Sequence, residues 1–259
     1  MGKEILYEVV DHAAIITINR PKVLNAVSDA TVGEIYGALD EAVADDGVKV
    51  VLLTGAGDKA FCAGHDISTF GETDEYTIRE SALYNHGLCE KIQYLSKPVI
   101  AAVNGYAFGA GCEIAISCDF RVAAENARFG LPEVSLGIIP GQGGTQRLAR
   151  LIGAGPAKYY TITCEQMKAE RAWQLGLVEK VVPRAELLAT CQMIAKKIMA
   201  NGPAAVRIAR NAINIGLDLD LRNGTRFEIE SFISAFNTPD RAEGVSAFLE
   251  KRPPNFTGK

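Results

Sequence analysis

At 259 residues, 48 % hydrophobic and 22 % charged, the chain has the make-up of a soluble globular protein with one large α/β domain and room for an appendage. A net charge of −4 excludes any general attraction to nucleic acid or anionic membrane, so a polyanionic ligand has to be met by a local group of Lys and Arg. No apolar run reaches the ~18 residues of a membrane helix, and the six cysteines (Cys62, Cys89, Cys112, Cys118, Cys164, Cys191) and three histidines (His12, His65, His86) show no CxxC pair and no zinc or iron–sulfur spacing.

The opening MGKEILYEVV reads as a strand rather than as a signal or transit peptide. ILYEVV and AAIITIN, joined at Asp11-His12, predict a hairpin over residues 5–19. Ser28 is placed to cap an amphipathic helix that runs to about Ala44. Asp45-Asp46-Gly47 is a turn, KVVLLTG (49–55) a buried strand, and GAGDKAFCAGHD (55–66) a loop. A polar segment from residue 70 leads into a helix over 77–94, followed by a strand at 98–103, a short helix near 110–117 and a strand at 120–123. Strands alternating with helices predict crossover units with parallel pairing. Their recurrence every ~45–50 residues hints at a coiled repeat. From Ala169 the chain reads as almost entirely helical, with no strand partner after Pro183. Its clearest break is Asn201-Gly202-Pro203, a helix-ending Gly before a Pro suited to open the next helix. The cysteines read as small core residues in a reducing compartment.

The chemistry centres on residues 97–148. An apolar run ends at Asn104-Gly105, and GYAFGAG, three glycines in seven residues, feeds the apolar helical segment CEIAIS. A glycine-rich turn entering a helix leaves backbone N–H groups pointing beyond the helix start. Glu113 lies one turn into that helix, three residues after Ala110 and on the same face. Glu133 follows Pro132 between the apolar clusters RFGL and VSLGII. Each acid taken alone reads as a surface glutamate; together, in apolar surroundings and beside a helix start, they suggest acid/base work next to a stabilised anion. The dinucleotide fingerprint GxGxxG and the phosphate loop GxxxxGK[ST] both fail here: Gly109-Ala110-Gly111 lacks the third glycine and PGQGG lacks the order.

AFCAGHD (60–66), KPVIAAVNGYAFGAGCEIAISCD (97–119), ARFGLPEVSLGIIPGQGGTQRL (127–148) and FLEKRPPNF (248–256) together resemble the crotonase superfamily, in its enoyl-CoA hydratase branch. The likeness runs from about residue 4 to the end, with the motifs in the family's order and spacing. It implies an α/β fold, a spiral of repeated ββα units in residues 1–200 carrying the active site, with a C-terminal helical region in 201–259 that forms trimers or dimers of trimers. It also implies reversible syn addition of water to a short-chain trans-2-enoyl-CoA, as in β-oxidation of fatty acids in the cytoplasm, with no metal and no cofactor beyond the coenzyme A of the substrate, and no nucleic-acid or membrane partner.

By the same resemblance, the backbone N–H groups of His65 and Ala110 bind the thioester oxygen, Glu113 positions and activates the water, and Glu133 protonates the α-carbon. Coenzyme A is expected along Lys22, Leu24, Lys59, Ala63, His65, Asp66, Ile67 and Ser68, with Phe232 and Lys251 reaching in from a neighbouring subunit. The segment STFGETDEYTIRESALYNHG (68–87) is expected to shape the acyl pocket. Ala110 departs from the commoner glycine, which a backbone donor tolerates, and Cys164 stands where relatives usually have glycine in a turn. Isomerisation of an enoyl-CoA, hydration of an alicyclic dienoyl-CoA and a non-catalytic or RNA-binding role remain the alternatives. Glu113 argues against pure isomerisation, which typically keeps only the second acid.

Overall fold

A computed structural model of the chain describes residues 4–69 and 74–258. Strands β1 (Ile5–Val10) and β2 (Ala13–Ile18) pair antiparallel from Ile5↔Ile18 to Val10↔Ala13. The turn between them is two residues long, and both Asp11 and His12 take positive φ, at 48° and 65°. Such a turn matches the right-handed strand twist. Ser28 caps α1 (Asp29–Ala44): its side chain accepts from Thr31 N and the Thr31 hydroxyl accepts from Ser28 N, a reciprocal box.

Three strand pairs then repeat. The first is β3 (Val50–Gly55) with β4 (Ala60–Cys62), followed by α2 (Glu75–Gln93). Next come β5 (Val99–Val103) and β6 (Tyr106–Phe108), followed by α3 (Ala110–Ser117). The third is β7 (Phe120–Ala124) with β8 (Arg128–Gly130). The first strand of each pair joins a six-stranded sheet of order β1-β2-β3-β5-β7-β10, and the second joins a four-stranded sheet of order β4-β6-β8-β9. From β2 through β7 the larger sheet is parallel, as are β4, β6 and β8. This is the expected spiral of ββα units. Its period is not uniform, because α3 has eight residues against nineteen in α2.

Helices α4 (Gly144–Ile152) and α5 (Ala154–Thr163) lead to β9 (Met167–Lys168), α6 (Ala169–Gln174) and β10 (Lys180–Val182). The reading of 169 onward as nearly all helix is corrected here: β10 closes the edge of the large sheet against β7. Its three residues carry too little pattern to register, and it is fixed by tertiary bonds instead. Arg121, 2 % exposed, donates to the Leu177 carbonyl at 2.7 Å, the Cys118 carbonyl at 3.1 Å and Glu179 Oε1 at 2.8 Å, holding the chain just before β10.

Buried asparagines stitch the corners where the chain passes between sheets. Asn25 Nδ2 donates to the carbonyls of Ala56 (2.9 Å) and Ala60 (2.7 Å), and Asn104 exchanges bonds with both the N–H and the C=O of Gly55 while also reaching Gly57. Asn126 in turn donates to the Asn104 carbonyl. Gly55 and Gly105 make these corners possible, since a Cβ would lie 2.4 Å from the Ala60 carbonyl oxygen at the first and 2.2 Å from that of Lys59 at the second.

The chain forms two compact units, Met1–Gln192 and Met193–Lys259, divided inside α7 (Leu187–Met199). The Asn201-Gly202-Pro203 break falls just after that helix, with Pro203 opening α8 (Pro203–Gly216). Helices α9 (Leu221–Phe236) and α10 (Pro239–Glu250) complete the second unit. Its irregular tail is tied back by buried Asp240, which accepts from the Thr257 and Gly258 amides at 2.7 and 2.8 Å.

Asn104→Ala leaves the Gly55 amide and two carbonyls without their side-chain partner. The expected loss is about 2–4 kcal/mol of unfolding free energy, measured by urea denaturation; a loss under about 1 kcal/mol would show that the corner bonds add little.

Candidate active site

Glu113 sits on α3, every residue of which is buried. Apart from Ser117 the rest of the helix is apolar, so its packing drags this one carboxylate inside, leaving it 2 % exposed. Its Oε1 accepts from the amides of Gln142 and Gly144, each at 2.8 Å. These belong to the glycine-rich entry to α4, a helix N-terminus and so a ready anion seat. Burial raises the pKa of Glu113, while the Gly144 and Gln142 amides and then Arg147 and His86 pull the other way.

Glu133 opens a short 3-10 turn, Glu133–Leu136, immediately after Pro132 and the exit of β8. Burial pushes its carboxyl up to about 7 against the partial relief of its own backbone amide, and the charge on Glu113 adds to the rise. Its Oε2 is buried without a hydrogen-bond partner among the described residues. A Cβ on Gly109 would lie 3.3 Å from Glu133 Oε1 and 3.6 Å from Gly64 Cα, so the carboxylate, the α3 start and the 60–66 loop meet at one point. Gly109 (φ 52°) and Gly64 (φ 124°) both occupy backbone space that other residues avoid.

Two amides flank that point. The first intrahelical bond of α3 runs from Glu113 N to the Gly109 carbonyl, so the Ala110 amide precedes any acceptor its own helix offers. On the loop, Val27 N donates to the Gly64 carbonyl and Asp66 N to the Val27 carbonyl, a parallel bridge that turns the His65 amide to the opposite side. The His65 imidazole faces Asp29 at 3.9 Å, and burial pushes its pKa below the usual histidine value despite Asp29 and Asp66.

The residues expected along coenzyme A fall into two groups. Segments 24–27 and 63–66 lie side by side through the Ala63–Leu24 and Val27–Gly64 bonds. Leu24 and Lys59 line a cavity of about 150 Å³ with Pro21, Asn25, Gly57 and Asp58, and exposed Lys22 sits beside it in the chain. Ile67 is 56 % exposed, and Ser68 donates its hydroxyl to Asp66 at 2.6 Å. The Asp66 carboxylate also accepts from Arg20 at 3.1 Å, and these bonds, that of the Ser68 hydroxyl foremost, hold its pKa below the usual carboxylate range. Phe232 and Lys251 stand in the second unit, Phe232 at 64 % exposure with its ring 5.7 Å from that of Phe236, and Lys251 as the left-handed cap of α10. In the 68–87 segment, residues 70–73 lie outside the described residues; the rest is mostly α2.

Sequence reasoning missed the Gln142 and Gly144 amides and Arg20, whose guanidinium ties Asp66, Glu4 and the Ala26 carbonyl together. Gly143-Gly144 at a helix start was the available signal for the first. Five cysteines are buried, and burial pushes the thiols of Cys62, Cys89, Cys112 and Cys191 up to about 12. Cys164 is half-buried at the left-handed cap of α5, φ 56°, a conformation that favours glycine. Among the described residues no group of His, Cys, Asp or Glu is arranged to hold a metal ion, and no helix is long and apolar enough to cross a membrane.

The family model described as enoyl-CoA hydratase/isomerase matches residues 9–259. A short-chain-enoyl-CoA hydratase of Clostridium acetobutylicum is 48 % identical over 239 residues, covering 92 % of each chain. A crotonyl-CoA hydratase of Syntrophomonas wolfei is 44 % identical over 99 % of each. The crystal structure of an enoyl-CoA hydratase from Bacillus anthracis superposes with a TM-score of 0.95 at 42 % identity, covering 99 % of this chain and 100 % of that one. The chain belongs to the enoyl-CoA hydratase/isomerase family.

Proposed function

We propose that this protein is a short-chain enoyl-CoA hydratase, a hydro-lyase that adds water syn across a trans-2-enoyl-CoA to give a 3-hydroxyacyl-CoA, and reverses that reaction. The observation that carries it is the pair of glutamates in unlike environments at one helix start. Glu113 has one oxygen held by two amides, leaving the other to take a proton from water. Glu133, pushed up to about 7, is a proton donor near neutrality. The hydroxyl adds to the β-carbon, the water proton passes to Glu113, and the Glu133 proton passes to the α-carbon. Negative charge gathers meanwhile on the thioester oxygen, which the amides of His65 and Ala110 receive. Fixed donors of this kind are worth roughly 3–4 kcal/mol each in the transition state, and the start of α3 adds its dipole.

Coenzyme A enters as part of the substrate, with Lys22, Leu24 and Lys59 near its adenine end and the 63–68 segment along the rest; no metal or redox cofactor takes part. Phe232 and Lys251 act from a neighbouring copy in a trimer or dimer of trimers. In the second unit Leu221 and Phe248 (each 83 % exposed) and Leu249 (74 %) support self-association, since apolar surface of this extent is costly in water. The setting is cytoplasmic fatty-acid metabolism, β-oxidation included.

Loss of the conjugated-thioester absorbance of crotonyl-CoA tests the assignment. Wild type is expected to turn over, and Glu113→Gln and Glu133→Gln each to lose at least about 10²-fold in kcat. Tight binding of crotonyl-CoA without hydration would redirect the search to longer, branched or alicyclic enoyl esters. The active pair carries one proton in either direction, on Glu133 for hydration and on Glu113 for dehydration. Because the overall reaction neither takes up nor releases a proton, kcat/KM must follow one profile both ways. It is expected to fall about tenfold per pH unit above about 7; a flat profile from about pH 6 to 9 would sink the proton-donor role of Glu133. Sedimentation at micromolar concentration is expected to show three or six chains, and a monomer would remove the C-terminal assignment.

A further inference from the structure

We propose that Arg147 is a positioning residue for Glu113: it holds the loop whose amides hold the carboxylate, and so sets where the water-activating oxygen points. The proposal rests on the reading of Glu113 as the group that activates water.

The two amides that grip Glu113 Oε1 belong to the peptides on either side of the Gln142–Gly143 peptide. The carbonyl of that central peptide accepts from Arg147 Nη1 at 2.9 Å. Arg147 Nε donates to Gln93 Oε1 at 2.9 Å, at the end of α2. One planar guanidinium therefore ties the carboxylate's cradle to a helix of the spiral, with the fork geometry that lysine lacks. The chain keeps room for it: Gly143 has φ 97°, and a Cβ there would lie 2.0 Å from Arg147 Nη1.

Electrostatics points the same way. Arg147 lies in the first turn of α4 and folds back over that helix's own N-terminus, the end where a cation is unfavourable. The buried anion at the same N-terminus compensates. The charged and titratable groups that act on Glu113 are Arg147 from α4, His86 from α2 (itself 3.4 Å from Glu90), and Glu133 from the turn after β8. The nearby thiols of Cys89 and Cys112, pushed up to about 12, stay neutral.

Arg147→Met, Arg147→Lys and Gln93→Leu test this, read by steady-state kinetics with crotonyl-CoA and by carbon-13 titration of glutamate carboxyls, with Glu113→Gln assigning the signal. In Arg147→Met, kcat is expected to fall about 100-fold, with KM within about threefold of wild type and the Glu113 titration raised by about one pH unit. Arg147→Lys restores the titration through its charge but only part of kcat, because it lacks the fork. A folded Arg147→Met with wild-type kcat overturns the proposal, as does a loss of kcat with an unmoved titration. If Arg147→Met fails to fold, Gln93→Leu decides: a fall in kcat of several-fold at constant KM with the titration raised supports the role, and unchanged values overturn it. Should wild type hydrate no enoyl-CoA, the hydratase reading fails by itself, and the carboxyl titration alone judges Arg147.

Discussion

A carboxylate that is 2 % exposed has to be compensated from inside the protein, and much of the architecture around Glu113 follows from that requirement. The helix that carries it is buried at every position, so bulk solvent cannot supply that compensation. Its partners are backbone amides, which cannot ionise or rotate away, delivered by the N-terminus of a second helix. Glycine at 144 is part of the fit, since a Cβ there would stand 2.9 Å from Glu113 Oε1 and 3.0 Å from Pro140. The PGQGG run is thus the seat of a protein carboxylate, with the same physics that elsewhere seats a phosphate.

The second carboxylate is left deliberately worse off. Among the described residues Glu133 has an oxygen without a partner and a neighbour of like charge, whereas Glu113 has two amides and the positive charge of Arg147. Environments that drive two acids apart assign one the proton and the other the charge. Stability bears the consequence. The unfolded chain gives up the Glu133 proton near the ordinary value of 4.5 and the native chain near 7. Within that window the native state binds the proton more tightly, so its stability falls as pH rises through it and stays lowered above. A site tuned to hold a proton at neutrality is one the fold must be strong enough to tolerate.

The hairpin, the Ser28-capped helix and the strands over 49–55, 98–103 and 120–123 were legible because each shows its own period or cap in the sequence. The short strands β4, β6, β8 and β10 were not. With three residues apiece they have no periodicity to detect, and they exist because neighbouring turns of the spiral offer them partners. The two acids stood out as charges in apolar runs, yet their unequal environments depend on loop 140–144 and Arg147, which no local pattern ties to Glu113. The helices of the repeat are unequal for a similar reason. Strand-to-strand distance is set by pairing, while the connecting helix can be nineteen residues or eight.

The inconspicuous sheet is the one that gathers the candidate groups. β4, β6 and β8 run parallel, so the chain leaves all three at the same edge. His65 follows the end of β4, Ala110 the end of β6 and Glu133 the end of β8, each within three residues. Parallel strands gather the groups at their C-terminal ends into one crevice, the general location of sites in such sheets. What remains is distance, and Gly111 governs it: a Cβ there would fall 2.0 Å from the Cys62 carbonyl, so only glycine lets the start of α3 rest against β4. The backbones that follow two successive strands of that sheet then lie side by side at Gly64 and Gly109, and the spiral repeat becomes the means by which residues 45 apart in sequence become neighbours.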